Sequence, residues 1–159
     1  MILLTVGVND YDYSPLFREM DRIAPSLGED VVMQTGGVEF HAENCETVGI
    51  VPEDRMRELF DSCRLVVCHA GIGTITNVLE REKPMVLVPR SVVLESEGDQ
   101  QDLVADKVVS LGRGVRLRRV EDLLPAIREA ESLTISPYRK DTSLCDWLDD
   151  LLTGYASSI

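Results

Sequence analysis

No apolar run among these 159 residues approaches the ~20 needed to span a bilayer, so a membrane-crossing helix is not expected. Basic residues are also scarce. The chain has 16 Lys and Arg against 28 Asp and Glu, a formal net charge of −12. That balance disfavours nucleic acid as a partner, since binding a polyphosphate backbone depends on cations displacing its counterions. It does not weigh against a small phosphorylated ligand, which helix N-termini and backbone amides can hold on an acidic protein. The four cysteines, Cys45, Cys63, Cys68 and Cys145, form no C-x-x-C pair, and no His stands at zinc-finger spacing. Cys63 and Cys68 fall in apolar stretches and read as reduced, structural thiols. There is neither a G-x-G-x-x-G fingerprint nor a Walker A lysine loop, so dinucleotide binding and ATP hydrolysis have little support.

What the chain does have is the composition and length of one globular domain. Its hydrophobic fraction is 44%, its charged fraction 28% and its mean hydropathy −0.02. The start, Met1 to Val6, lacks a basic n-region and reads directly as a strand, so the mature protein is expected to begin at Met1 in the cytoplasm. Short β-rich runs then alternate with helical periods, the pattern of a parallel sheet covered by helices. Strands are expected at 2–6, 31–34, 47–51, 65–68, 85–88 and 115–117. A first helix is expected to open at Ser14 and Pro15, present Leu16, Phe17, Met20, Ile23, Ala24 and Leu27, and stop at Gly28. A second should open at Pro52 and bury Met56, Leu59, Phe60 and Cys63, and a third should turn Ile75, Val78 and Leu79 inward. Leu103, Val104, Val108 and Leu111 mark a fourth helix, and Leu123, Leu124 and Ile127 a fifth. Leu144, Trp147, Leu148, Leu151 and Leu152 mark a terminal helix over about 143–153. The fold class is α/β: a Rossmann-like, doubly wound parallel sheet.

In such a sheet, ligands bind beyond the carboxyl ends of the strands. Three places there stand out. Gly7, after the first strand, permits a tight turn or a close ligand approach, although a glycine there is often purely structural. The turn His69-Ala70-Gly71-Ile72-Gly73-Thr74 sets two glycines before a helix, where free amides and the helix dipole can hold a phosphate. Thr74 could cap that helix or donate its hydroxyl. The residues alone leave a phosphate cradle and a plain tight turn equally open. The third place runs from Pro89-Arg90 through Glu95, Glu97 and Asp99 to Gln100-Gln101. Two neighbouring amides suit sugar hydroxyls, while the alternative is a solvated loop with a helix cap.

Taken in order, Thr5-Val6-Gly7, PEDRMRELFDSCRLVVCHAGIGTI (52–75), KPMVLVPR (83–90) and DQQDLVADKV (99–108) resemble the carboxyl-terminal, donor-binding domain of glycosyltransferase family 28. The resemblance runs over about residues 1–130 and is strongest to the small separate subunits of that family. It implies half of a GT-B enzyme that binds a UDP-sugar, with UDP-N-acetylglucosamine the first expectation. It assigns Gly71, Gly73 and Thr74, with the intervening Ile72, to the diphosphate, Gln100 and Gln101 to the hexose, and Gly7 to the cleft. Arg90 and Glu97, flanking the third loop, join the candidate donor contacts. Asn77 stands where family members often carry an acid for the ribose, and an amide there would bind a diol without charge assistance. His69 is implied as a donor contact or structural support rather than a general base, and His41 reads as a solvated loop residue.

Transfer in this family is inverting and independent of metal, so no metal or cofactor is expected. A chain of this length lacks an acceptor-binding half. The resemblance therefore implies a membrane-anchored partner subunit that presents a polyprenyl-linked acceptor and supplies the base, leaving this chain cytoplasmic and peripheral. In the two-domain enzymes the last helix crosses to the other domain. The terminal helix would then tether the partner through Trp147, unless its apolar face packs on this chain's own core. The rival reading is a nucleotide-sugar-binding or regulatory module without transferase activity.

Overall fold

A computed structural model describes residues 1–8, 11–94 and 100–137. Six parallel strands form one sheet: β1 (Ile2–Thr5), β2 (Val31–Gln34), β3 (Glu46–Val48), β4 (Leu65–Cys68), β5 (Met85–Leu87) and β6 (Gly114–Arg116). Their order is β3-β2-β1-β4-β5-β6. The chain thus winds outward from β1 to one edge, then crosses back to β4 and winds out to the other. The reversal of strand order lies between β1 and β4, the point where open α/β sheets form their ligand crevice. Register brings Thr5 level with Gln34 on one side and Cys68 on the other, so the three central strands end together.

The central strands are buried on both faces, as continuous apolar runs such as Leu65-Val66-Val67-Cys68 require. Ile2, Leu4, Val6, Met33 and Val67 face one way, against α1 (Ser14–Ile23) and α6 (Leu123–Glu131). Leu3, Val32, Val66 and Cys68 face the other way, against α2 (Glu53–Ser62), α3 (Ile72–Glu80) and α5 (Gln100–Ser110). This is the doubly wound, Rossmann-like architecture expected from the alternating pattern.

Several expected boundaries move, each for a local reason. The first helix stops at Ile23 rather than Gly28, because Pro25 starts a short 3-10 turn over Ala24–Ser26. Ser14 is the first helical residue and not the cap; its N–H is held by Asp12 Oδ1 at 2.9 Å. Strand β3 ends at Val48 instead of Val51, since Gly49 is drawn out of the ladder and its carbonyl accepts from Gln34. A short helix, α4 (Arg90–Leu94), replaces the loop expected after Pro89. On α5 the buried stripe is Ala105 and Val108, while Leu103 is 74% exposed and Leu111, just past the helix end, 58%. That helix covers the edge strand β6 and makes contact along a narrower line than its apolar spacing suggested. The terminal helix expected over 143–153 lies outside the described residues.

Lys83 closes the end of α2. Its ammonium donates to the carbonyls of Phe60, Asp61 and Cys63, which are left without helical partners there. Replacing Lys83 with Met should lower the free energy of unfolding by about 2 kcal/mol in urea titrations, since hydrogen bonds to a charged donor are worth more than neutral ones. Stability equal to wild type would show that water serves these carbonyls equally well.

Candidate functional site

A cleft of about 340 Å³ opens at the reversal point. Thr5 and Gln34 form its floor, Gly7 and Val8 one lip, and the turn from His69 to Thr74 the other. Val51, Met56 and Phe60 supply an apolar wall, and Asn77 stands on the α3 side. The combination of one apolar wall with polar backbone suits a planar base joined to an anionic group.

The anion end is the start of α3. Gly71 is its N-cap in extended conformation, with no side chain capping it, and the first paired amide is Ile75 N–H, to Gly71 O at 2.9 Å. The N–H groups of Ile72, Gly73 and Thr74 precede that bond, so they are free for a ligand. Thr74 is the third helical residue and does not cap the helix. Ala70, just before the N-cap, has φ of 28°, a left-handed conformation uncommon for a residue with a side chain and frequent at ligand-binding turns.

His69 explains both flanking glycines. A Cβ on Gly7 would lie 2.9 Å from its Cε1, and a Cβ on Gly71 would lie 2.3 Å from its Nε2. Gly7 also has φ of 77°, which glycine adopts without strain. Both turns thus run close to the imidazole and leave no room for a side chain at either glycine. Burial pushes its pKa down and the charge of Arg90 pushes the same way, against the carbonyl of Thr5. Together these favour the uncharged ring at neutral pH. Its Nδ1 is buried without a hydrogen-bond partner among the described residues.

Under the cleft lies a polar knot. Gln34, only 2% exposed, accepts from Thr5 Oγ1 at 2.6 Å and from Gly7 N–H at 3.1 Å. Its amide nitrogen donates to Gly7 O at 2.9 Å and Gly49 O at 3.3 Å. One side chain therefore joins the loops that follow β1 and β3.

A model of the glycosyltransferase family 28 C-terminal domain matches residues 1–136. This chain belongs to that family. Over 106 residues it is 28% identical to the UDP-N-acetylglucosamine transferase subunit ALG13 of Eremothecium gossypii, a match covering 64% of this chain and 51% of that protein. The calicheamicin glycosyltransferase CalG4 superposes with a TM-score of 0.67 at 20% identity, over 82% of this chain and 34% of that one. SnogD from Streptomyces nogalater gives 0.61 at 21% identity, over 82% and 34%. Os79 from O. sativa, solved with UDP, gives 0.61 at 17% identity, over 82% and 32%. The chain thus spans about half of its curated relative and a third of each of these enzymes. These likenesses establish the GT-B half-domain fold.

Of the residues expected to serve the family 28 donor site, Gly7, His69, Gly71, Ile72, Gly73, Thr74 and Asn77 line this one cleft. Asn77 has less freedom than expected: its Nδ2 donates to Gly73 O at 2.9 Å and its Oδ1 accepts from Arg81 at 3.1 Å. Arg90 opens α4 with its guanidinium 4.9 Å over the ring of Tyr11. Gln101 Oε1 accepts the N–H of Arg90 at 3.0 Å, which ties the start of α5 to the end of β5. Gln100 is exposed, and neither glutamine lines the cleft itself. Glu97 lies outside the described residues. Sequence reading missed Gln34, Val51 and the cleft-facing side of Met56 and Phe60. It also passed over Asp10-Tyr11-Asp12, which has D-x-D spacing; Asp10 is outside the described residues, and Asp12 is engaged by Ser14. No group of three potential metal ligands occurs among the described residues, and no described helix is long and apolar enough to cross a membrane.

The described thiols are unsuited to nucleophilic work. Burial pushes Cys45 and Cys68 up to about 12 and raises Cys63 as well.

Proposed function

We propose that this domain binds a UDP-sugar, UDP-N-acetylglucosamine by first choice, and is the donor-holding catalytic part of an inverting hexosyltransferase. The observation that carries the reading is the uncapped start of α3, whose three free amides face the reversal-point cleft beside the His69 imidazole. In this reading the diphosphate lies on the amides of Ile72, Gly73 and Thr74, and the base lies against Val51, Met56 and Phe60. As an acceptor hydroxyl attacks the anomeric carbon, the bond to the diphosphate breaks. The α3 dipole and amides stabilise the charge that UDP takes with it. His69, whose burial favours the uncharged ring, orients the diphosphate and does not take the acceptor proton. The base and the acceptor site come from a partner subunit, membrane-anchored and presenting a polyprenyl-linked acceptor. The relative named as a transferase subunit supports a partner of this kind. Gln100 and Gln101 meet the hexose when the second half closes over the cleft.

Calorimetry should show UDP binding preferred over ADP and GDP. Gln100→Ala and Gln101→Ala should each weaken UDP-N-acetylglucosamine by about 1 kcal/mol more than they weaken UDP. No binding at millimolar UDP, or equal binding of the three diphosphates, would remove the donor-site reading. An equal loss for UDP and the sugar nucleotide would remove only the glutamine assignment. One observation favours a second reading, a nucleotide-sugar-binding module without catalysis: Asn77 replaces an acid and spends its amide inside α3. Full UDP-sugar affinity with no transfer in the presence of a competent partner would select it.

A further inference from the structure

A second groove, of about 560 Å³, lies on the opposite face of the sheet, between α1, α4 and the segment that follows β6. Its lining carries four arginines, Arg18, Arg22, Arg118 and Arg119. Arg22 is neutralised by Glu19 and Arg119 by Glu121. Arg18 and Arg118 have no ion pair and no hydrogen bond among the described residues. The nearby carboxylate of Asp12 feels the charge of Arg18 but is engaged by Ser14.

On this protein that is unusual. Acidic groups outnumber basic ones by 12, and Arg55, Arg57, Arg64, Arg81, Arg116 and Arg128 each find a carboxylate. Two arginines that find none face the same groove. Pro15, Val92 and Val93 add apolar surface beside them. Helix α4 separates this groove from the donor cleft: it begins at Arg90, whose charge reaches His69, and it contributes Val92 and Val93 to the groove.

We infer that this groove is an anion site for a phosphate ester, held by Arg18 and Arg118, distinct from the diphosphate turn at α3. Guanidinium groups bind phosphate through paired, charge-assisted hydrogen bonds, and two unneutralised ones across a groove suit a diphosphate or a lipid headgroup. Such a site would hold a phosphorylated substrate or a membrane surface next to the donor.

The test titrates inorganic pyrophosphate into the full chain with the donor cleft saturated by UDP, so that the α3 turn cannot take the probe. Arg18→Ala/Arg118→Ala should weaken pyrophosphate at least about tenfold while UDP affinity and the circular dichroism spectrum stay unchanged. In parallel, flotation with phosphatidylglycerol-containing vesicles, against phosphatidylcholine alone, identifies the source. Arginine-dependent vesicle binding points to a lipid headgroup, and arginine-dependent pyrophosphate binding without it points to a soluble ester. No binding of either probe, or binding that the double substitution leaves intact, overturns the site. If UDP fails to bind, the pyrophosphate titration is run without it and is still read through the arginine dependence.

Discussion

Gly71→Ala should reduce UDP affinity at least about a hundredfold and abolish any transfer. The backbone is not the obstacle, because Gly71 has φ of −78°, which alanine adopts freely. The obstacle is His69: the new Cβ would stand 2.3 Å from Nε2 and 2.8 Å from Cε1. The ring has little room to move, since the Gly7 turn also runs close to it, so close that a Cβ on Gly7 would lie 2.9 Å from Cε1. Either the imidazole leaves its slot or the start of α3 shifts, and both disperse the three amides that face the cleft. Losing two charge-assisted contacts to a diphosphate corresponds to about two orders of magnitude. The double variant His69→Ala/Gly71→Ala distinguishes steric from chemical causes. It should regain the thermal stability lost in Gly71→Ala and part of the UDP affinity. If the single Gly71→Ala variant binds UDP normally, the turn is not the diphosphate site.

This dependence also shows which parts of the site could be read from sequence. Residues 69–74 stood out because two glycines mark the passage from a buried strand to a helix, although those residues alone left a plain tight turn equally open. The sheet was legible for a related reason: strands buried on both faces appear as unbroken apolar runs, and the intervening helices follow their own period. What escaped notice depended on contacts distant in sequence. Glycines 7 and 71 are explained by one imidazole that both turns approach, and no local pattern reports that. Met56 and Phe60 were correctly placed on the apolar face of α2, yet an apolar face that packs on the core and one that lines a cleft have the same period. The exposed Leu103 illustrates the converse. Helical spacing marks which residues share a stripe, but the strand beneath decides where burial is centred, and β6 centres it on Ala105 and Val108.

Gln34 was legible only in hindsight, as the one polar residue closing the apolar strand Val31-Val32-Met33, and its replacement should be the most destabilising change in the cleft floor. In Gln34→Leu the hydroxyl of Thr5, the N–H and carbonyl of Gly7 and the carbonyl of Gly49 all lose a partner at a position almost closed to water. Unsatisfied buried groups cost about 1–3 kcal/mol each, and the Thr5 hydroxyl can turn to a new acceptor, so a net loss of about 3–5 kcal/mol is expected in urea titrations. That is a large share of the ~5–15 kcal/mol available to a typical domain. Gln34→Glu separates charge from shape. It keeps the acceptor facing Thr5 and Gly7, but only its protonated form can still donate, to one of the two carbonyls, and burial favours that form. Its folded pKa then exceeds the ~4.3 of an unfolded glutamate, so the folded state binds more protons between those two values. Stability of Gln34→Glu should therefore be greatest in acid and fall as pH rises from about 4.3 to the folded pKa, where wild type shows no matching decline. Denaturation curves at pH 4 and pH 8 measure the difference. A Gln34→Leu protein within about 1 kcal/mol of wild type, or a Gln34→Glu protein indifferent to pH, would mean that the loops after β1 and β3 hold together without this side chain.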